Sequence, residues 1–150
     1  MAKRRRRLPE ELGQTLRTEL RQYGAPVHII RTVPARMKYD REEIHVTAGE
    51  SIRLIFENND TMPHNLVLVT IGSREEVGRA ADEMATQPRA WVKGYVPESK
   101  KVLQATRLLK PGESELLTFN VPVKPGKYEF VCTFPGHWRT MYGVFNVNPG

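Results

Sequence analysis

Three side chains near the C-terminus have the chemistry of metal ligands. Cys132, His137 and Met141 lie together in the stretch C-T-F-P-G-H-W-R-T-M. Cys132 is the chain's single cysteine, so any role for it must come from burial, nucleophilicity or metal ligation rather than from an internal disulfide. Thiolate and imidazole donors suit copper, zinc or iron. One loop does not fix a metal's geometry, so this hypothesis requires a further donor from another strand.

His64 is the candidate for that donor. It ends the turn-like segment N-N-D-T-M-P-H and precedes the apolar stretch N-L-V-L-V-T. Two imidazoles, one thiolate and a weak axial thioether make up a blue-copper electron-transfer centre. Taken singly, Cys132 is more often a small buried apolar residue and Met141 more often a core residue. His28 and His45 have no such motif around them and are interpreted as sheet or surface residues.

Other chemistries fit the sequence less well. A cysteine protease needs a histidine paired with the thiolate and an oxyanion hole, and no motif marks either. A dinuclear copper centre needs a second cysteine, and a copper oxidase needs more than the four histidines of this chain. Structural zinc takes four cysteine or histidine ligands as a rule. The sequence therefore favours copper at a single site.

The elements that must position these residues are β-strands. From residue 27 the apolar pattern has a period of two, with frequent Gly, Pro, Asn and Asp between short β-branched runs, as in a sandwich or barrel. The predicted strands cover residues 27–33, 43–48, 51–58, 65–70, 114–121, 127–132 and 142–147. The segment at 102–109, between the fourth and fifth of these strands, is left open as edge strand or loop.

Two helices are predicted outside this pattern. Residues 73–87 have apolar positions at helical spacing, and Ser73 followed by Glu76 is a capping-box signature. Residues 9–24 begin with Pro9, end at Gly24 and carry a narrow leucine stripe, which indicates a linker helix. We therefore divide the chain into a basic head with a linker helix (1–26) and a β-domain (27–150).

Composition sets the remaining limits. A chain of 150 residues that is 39% hydrophobic suffices for one core and one domain. Its net charge of +6 comes almost entirely from residues 3–7, which we interpret as a solvated tail, and no nucleic-acid partner is expected. The basic start is followed by no apolar signal region and no transmembrane stretch. We expect a soluble chain that is mature, excised or cytoplasmic.

At this point the sequence resembles the cupredoxin family of blue copper proteins, in its azurin- and auracyanin-like branch. The resemblance covers about residues 27–148 and rests on two motifs, Y-E-F-V-C-T-F-P-G-H-W-R-T-M-Y-G and M-P-H-N. The Cys-to-His and His-to-Met spacings of the first motif match the azurin-type ligand loop. The resemblance implies an all-β fold: a Greek-key β-sandwich with one inserted helix and an N-terminal helical extension, binding one type 1 copper.

The family pattern implies a role for each matching residue. His64, Cys132 and His137 correspond to the equatorial copper ligands and Met141 to the long axial thioether.

Around these ligands, Asn65 corresponds to a residue that ties the two ligand loops together. The backbone N–H groups of Asn65 and Phe134 would approach the Cys132 sulfur and tune the potential. Pro63 stands where azurin has a glycine whose carbonyl lies near the copper, and this is the chain's departure from the azurin pattern.

The resemblance also implies a function, the carriage of single electrons without enzymatic activity. The edge of His137 is expected at the surface, within an apolar collar of Met62, Phe134, Pro135 and Trp138, and weak docking suits such a patch. For Trp138, docking and plain packing remain equally favoured. The expected partner is a redox protein such as a c-type cytochrome or a membrane oxidoreductase.

The expected setting is extracytoplasmic, in the periplasm or at the cell surface, and the chain could be a module of a larger redox protein. The alternative function is a copper carrier or sensor without redox cycling. A further alternative is an interaction module that keeps the fold.

Overall fold

The computed structural model describes residues 4–8 and 26–150. The strands in these ranges are β1 (Arg4–Leu8), β2 (Val27–Val33), β3 (Lys38–Tyr39), β4 (Glu43–Thr47), β5 (Ser51–Glu57), β6 (Val67–Val69), β7 (Val102–Ala105), β8 (Ser114–Asn120), β9 (Gly126–Val131) and β10 (Tyr142–Asn148). The helices are α1 (Arg74–Met84) and two short 3-10 helices, Ala90–Lys93 and His137–Arg139. The predicted β-sandwich with an inserted helix is confirmed, while the predicted helix over 9–24 lies outside the described residues.

The strands form two sheets, with the order β1-β8-β5-β2-β3 in one and β4-β10-β9-β6-β7 in the other. The β2–β5 and β4–β10 pairs are parallel, whereas β5–β8, β9–β10 and β6–β9 are antiparallel. β6 and β10 therefore flank β9 on either side. Because the ligand motifs lie at the ends of these three strands, this order decides where the site forms.

One apolar core fills the space between the sheets. Both sheets contribute side chains that are almost fully buried, including Ile30, Ile52 and Phe56 from one and Phe130 and Phe145 from the other. The alternating in-and-out pattern read from the sequence produces this arrangement, since successive residues of a strand point to opposite faces. Cys132 and Met141 belong to the same buried cluster, so the end of the core is also the start of the metal site.

Helix α1 covers a second, smaller apolar cluster on the outer face of β6 and β9. Val77, Val67, Val131 and Trp138 meet there. The predicted capping box is wrong in one respect, because the Ser73 side chain makes no cap hydrogen bond to the helix and instead contacts the Thr70 hydroxyl. In the described part of the chain, no helix has both the length and the apolar character that a membrane crossing requires.

The basic segment differs from its prediction. The backbone of Arg4–Leu8 pairs antiparallel with β8, with Arg6 opposite Leu116, so it forms an edge strand of the sandwich rather than a solvated tail. The segment at 102–109, which the sequence leaves open between edge strand and loop, forms the edge strand β7 in its first half.

Candidate metal centre

The ligand segments meet at one end of the sandwich because of strand order. Cys132 directly follows β9 and Met141 directly precedes β10, so the loop between them connects two adjacent antiparallel strands. His64 lies just before β6, which pairs with the other side of β9. Its backbone also pairs with Leu109, through hydrogen bonds of 3.1 and 2.8 Å. A residue almost seventy positions upstream thereby reaches the ligand loop.

Three donor atoms converge at this end. The Nδ1 atoms of His64 and His137 each lie 3.7 Å from the Cys132 Sγ, and one ligand atom from each of the three residues lies within 4.8 Å of the others. All three side chains are buried: His64 and Cys132 are 0% exposed and His137 is 2% exposed. Both histidines therefore direct the same ring nitrogen at the sulfur, as a common metal ion would require.

The loop that carries three of the four predicted ligands is held by its own backbone. The Cys132 N–H donates to the Met141 carbonyl at 3.0 Å, and the Met141 N–H donates to the His137 carbonyl at 2.9 Å. Gly136 has φ of +82°, a left-handed conformation that favours glycine and that turns the chain into the 3-10 helix of His137. Met141 is 0% exposed and lies in the core beside Cys132.

Asn65 connects the two ligand segments. Its Oδ1 accepts the Thr133 N–H at 2.8 Å, and its Nδ2 donates to the Thr133 Oγ1 at 2.8 Å and to the Gly94 carbonyl at 2.9 Å. The side chain is fully buried, so water does not compete for these groups. The residue after His64 is thus bonded to the residue after Cys132, as the resemblance implies.

The electrostatics of the pocket favour a neutral Cys132 and a neutral His137 before a metal binds. Burial raises the pKa of the Cys132 thiol to about 12, although hydrogen bonds from the backbone N–H groups of Asn65 and Phe134 oppose the shift. Burial lowers the pKa of His137 to about 4, and the nearby His64 adds to that effect. A buried, protonated thiol is a poor nucleophile, which disfavours a cysteine-based catalytic role.

Asp60 is a participant that the sequence interpretation missed. Its Oδ2 lies 2.8 Å from His64 Nε2, the ring nitrogen on the side away from Cys132. Burial raises the pKa of the Asp60 carboxyl, but hydrogen bonds from His64 and from the N–H groups of Ala35 and Thr61 outweigh it and leave the pKa below its usual range. The sequence shows Asp60 only as one polar residue of a turn, so no local pattern marks it.

Asp82 on helix α1 is a second residue that the sequence did not reveal. Its carboxylate accepts the indole N–H of Trp138 at 2.8 Å, the Gly136 N–H at 3.2 Å and the Arg139 guanidinium at 3.3 Å. All three donors lie within two residues of His137 in the chain. The inserted helix therefore holds the ligand loop from outside the sandwich.

Two predictions about the surface need correction. The His137 edge is not at the surface, because the ring is 2% exposed and Phe134 lies over it with ring centroids 4.9 Å apart. Trp138 is 5% exposed and packs in the cluster under helix α1, which excludes it from a docking face. Met62 is 40% exposed and Pro135 is exposed, so both are available for contact.

The donor set fits copper. Separations of 3.7 Å between the sulfur and each nitrogen suit one ion bonded to all three atoms, since metal–thiolate and metal–imidazole bonds are about 2.0–2.3 Å long in zinc sites of the same donor types. A thiolate, two imidazoles and a nearby thioether form the set that copper electron-transfer sites use, whereas Met suits zinc poorly. All three donor residues are at most 2% exposed, so the ion would lie in a buried pocket.

Comparison with known proteins agrees with this geometry. The chain is 32% identical over 114 residues to auracyanin-A of Chloroflexus aurantiacus. The aligned region covers 75% of this chain and 68% of that protein. It is 36% identical over 91 residues to azurin of Pseudomonas aeruginosa, covering 59% of this chain and 58% of the azurin. The chain thus spans somewhat more than half the length of that azurin.

The likeness extends to three dimensions. The crystal structure of dithionite-reduced auracyanin from Roseiflexus castenholzii superposes with a TM-score of 0.73 at 32% identity, covering 83% of this chain and 98% of that one. The family model of copper-binding proteins of the plastocyanin/azurin type matches residues 29–148, a range that contains both ligand motifs. With its sandwich, its ligand order and this match in agreement, the chain belongs to the plastocyanin/azurin family of copper-binding proteins.

Proposed function

We propose that the protein carries single electrons between redox partners, using one type 1 copper bound by His64, Cys132 and His137 with Met141 as the axial ligand. The observation that supports this most directly is the placement of both histidine Nδ1 atoms 3.7 Å from the Cys132 sulfur in a buried pocket. Copper supplies a one-electron couple between Cu(II) and Cu(I). The role of the protein is to keep the donors in place through that change.

The chain's own residues supply the rigidity. Asn65 fixes the first ligand segment to the second, Asp82 fixes the ligand loop to helix α1, and Asp60 fixes the His64 ring from behind. Donors held in this way need little rearrangement when the metal's charge changes. Because the Cys132 thiol has a raised pKa, copper binding must also release the thiol proton.

The electron would leave through His137 and the Phe134 ring that packs over it. Phe134 packs over the His137 ring, and Met62 and Pro135 are exposed nearby in the ligand segments. Pro63 lines a surface groove together with Trp91, whose side chain is 66% exposed. An apolar face of this kind suits a transient partner, for which we propose a c-type cytochrome or a membrane oxidoreductase.

The proposed setting follows from the family. We place the protein in an extracytoplasmic compartment, as a carrier rather than an enzyme, either alone or as a module of a larger redox protein. The raised pKa and complete burial of Cys132 support a ligand role over a catalytic one.

Copper loading tests the proposal. Adding Cu(II) to the metal-free protein should give an intense thiolate-to-copper absorption and the narrow hyperfine splitting of a type 1 centre. Cys132→Ser should remove the colour while the β-sandwich stays folded by circular dichroism, because the core is complete without the metal. His45→Ala is the matched control, since His45 is an exposed histidine of β4, and it should stay blue. A copper-loaded but colourless protein would contradict the electron-transfer role.

Retention of the metal separates an electron shuttle from a copper carrier. Ligands that are at most 2% exposed favour slow release. A shuttle should hold Cu(I) against a chelator over many redox cycles and exchange electrons quickly with itself. Rapid loss of Cu(I) to the chelator would favour the carrier instead.

A further inference from the structure

Asp60 lies behind the metal centre in a position that directly affects His64. The carboxylate is 5% exposed and His64 is 0% exposed, and Asp60 Oδ2 lies 2.8 Å from His64 Nε2. The opposite ring nitrogen, Nδ1, faces the Cys132 sulfur. A carboxylate accepts a hydrogen bond from Nε2–H, and in the neutral ring a proton on Nε2 leaves Nδ1 with its lone pair directed at the site.

The remaining contacts of Asp60 keep it ionised and fixed. Its Oδ1 accepts the Thr61 N–H at 2.7 Å and the Ala35 N–H at 3.1 Å, and its own N–H donates to Asn58 Oδ1 at 3.0 Å. Ala35 has φ of +61°, a left-handed conformation that is uncommon for alanine. The turn between β2 and β3 adopts it while its N–H is directed at the carboxylate. The two backbone N–H groups hold the carboxyl in place and favour its ionised form.

The negative charge of Asp60 is not paired with a lysine or arginine among residues 26–150, where its ion-pair contact is with His64. In a buried region the effect of such a charge on a neighbouring metal is screened weakly. An anion stabilises the more highly charged oxidised metal more than the reduced one, whereas N–H donors to a ligand sulfur favour the reduced form. Asp60 therefore acts in the opposite direction to the N–H groups of Asn65 and Phe134 that bond to Cys132.

We propose that Asp60 is a positioning residue of the metal centre, which fixes the Nε2-protonated tautomer of His64 and lowers the reduction potential of the bound copper. Only the effect on the reduction potential rests on the proposed function. The tautomer belongs to the protein itself and is measurable without metal.

Asp60→Asn is the informative change because it removes the charge and keeps the shape. An amide has one oxygen, so it does not accept hydrogen bonds from His64 and from the two backbone N–H groups at the same time. With its oxygen on the backbone donors, its NH2 group meets Nε2 and favours the Nδ1-protonated ring. Asp40→Asn is the matched control, since it removes one negative charge from an exposed aspartate that bonds to Arg31 instead.

Two measurements test the proposal. In the metal-free protein, ¹⁵N NMR should show His64 protonated at Nε2 alone, and D60N should show a population protonated at Nδ1. In the copper protein, voltammetry should give a higher potential for D60N by at least a tenfold change in the redox equilibrium constant, about 59 mV for one electron. D40N should move it by much less.

The outcomes are separable. An unchanged His64 tautomer in D60N overturns the positioning role, and a potential within the D40N shift overturns the tuning role. If D60N does not fold, Asp60→Glu keeps the charge and should retain the Nε2-protonated ring with a potential close to that of the natural chain. A wild-type protein that binds copper without the thiolate absorption would defeat the proposed function, and the NMR result would still decide the tautomer.

Discussion

Asn65 offers the sharpest test of how the two ligand segments are joined. Asn65→Ala removes three buried hydrogen bonds at once, those to the Thr133 N–H, the Thr133 hydroxyl and the Gly94 carbonyl. The hydroxyl has rotational freedom and finds a new partner, because Ser and Thr O–H groups turn about their C–O bond. The two backbone groups have no such freedom in this buried place. The expected loss therefore comes mainly from the Thr133 N–H and the Gly94 C=O.

The magnitude follows from that count. A buried polar group left unpaired costs about 1–3 kcal/mol, so two of them lower the free energy of unfolding by about 2–6 kcal/mol. Domains of ordinary stability have about 5–15 kcal/mol in total, which makes this a large change. With a urea slope near about 2 kcal/mol per M, the unfolding midpoint should fall by about 1–3 M.

The assay is urea unfolding of the metal-free protein, because a bound metal would itself stabilise the folded state and raise the measured free energy of unfolding. Asn59→Ala is the control. Asn59 is exposed, and the bond it makes to the Thr32 hydroxyl comes from its backbone N–H, which alanine keeps. That variant should change the free energy by less than about 0.5 kcal/mol. If Asn65→Ala and Asn59→Ala unfold at the same urea concentration, the bonds of Asn65 do not join the segments as argued.

Two further predictions concern helix α1. A Cβ at Gly78 would lie 2.3 Å from two ring carbons of Trp138, so Gly78→Ala should destabilise the fold by about 1–3 kcal/mol in thermal unfolding. Arg79→Ala, at an exposed site of the same helix, should not, and equal melting temperatures for the two variants would contradict the close packing. Burial raises the pKa of Asp82, but bonds from Trp138, Gly136 and Arg139 outweigh it and lower the pKa overall. Its stabilisation is therefore present above the unfolded carboxyl pKa of about 3.9 and lost as pH falls through the lower folded value. Asp82→Asn should be less stable than the natural chain at pH 7 and equally stable at low pH, and a gap that does not depend on pH would refute this.

Much of the fold was predictable because its pattern is local. The seven predicted strands all form, each within about two residues of its expected ends, since alternation along a strand is visible in consecutive residues. Strand β3 was missed because two residues carry no periodic signal, although its Tyr39 is fully buried and donates to the Asn65 carbonyl at 2.7 Å. The pairing of β1 was missed for a different reason. An arginine-rich run has no apolar alternation, and backbone pairing with β8 does not require one.

The residues of the site also differ in whether a local sequence pattern marks them. Cys132, His137 and Met141 were recognisable because they lie ten residues apart at most in one loop, and His64 because an apolar strand follows it. Asp60 and Asp82 were not, since their roles depend on groups brought to them by the fold. Asp82 reaches the ligand loop across 54 positions of sequence. Asp60 is close to His64 in the chain, but its Oδ1 accepts a hydrogen bond from the N–H of Ala35, which lies in another turn.

These polar contacts explain how a site with buried ligands can exist before a metal binds. Asp60 and Asn65 lie on either side of His64 in one segment and Asp82 lies on helix α1, and each bonds to a different part of the ligand set. The side-chain hydrogen bonds of these three residues do not involve the donor atoms Nδ1 and Sγ. A buried carboxylate costs free energy unless it is paired, so Asp60, which is 5% exposed, depends on the N–H groups that His64, Thr61 and Ala35 direct at it. The requirement is mutual, because each ligand segment takes its position from the same bonds. The geometry that copper would need is therefore a property of the folded chain. One-electron cycling would take place in a ligand arrangement that does not depend on the metal for its formation.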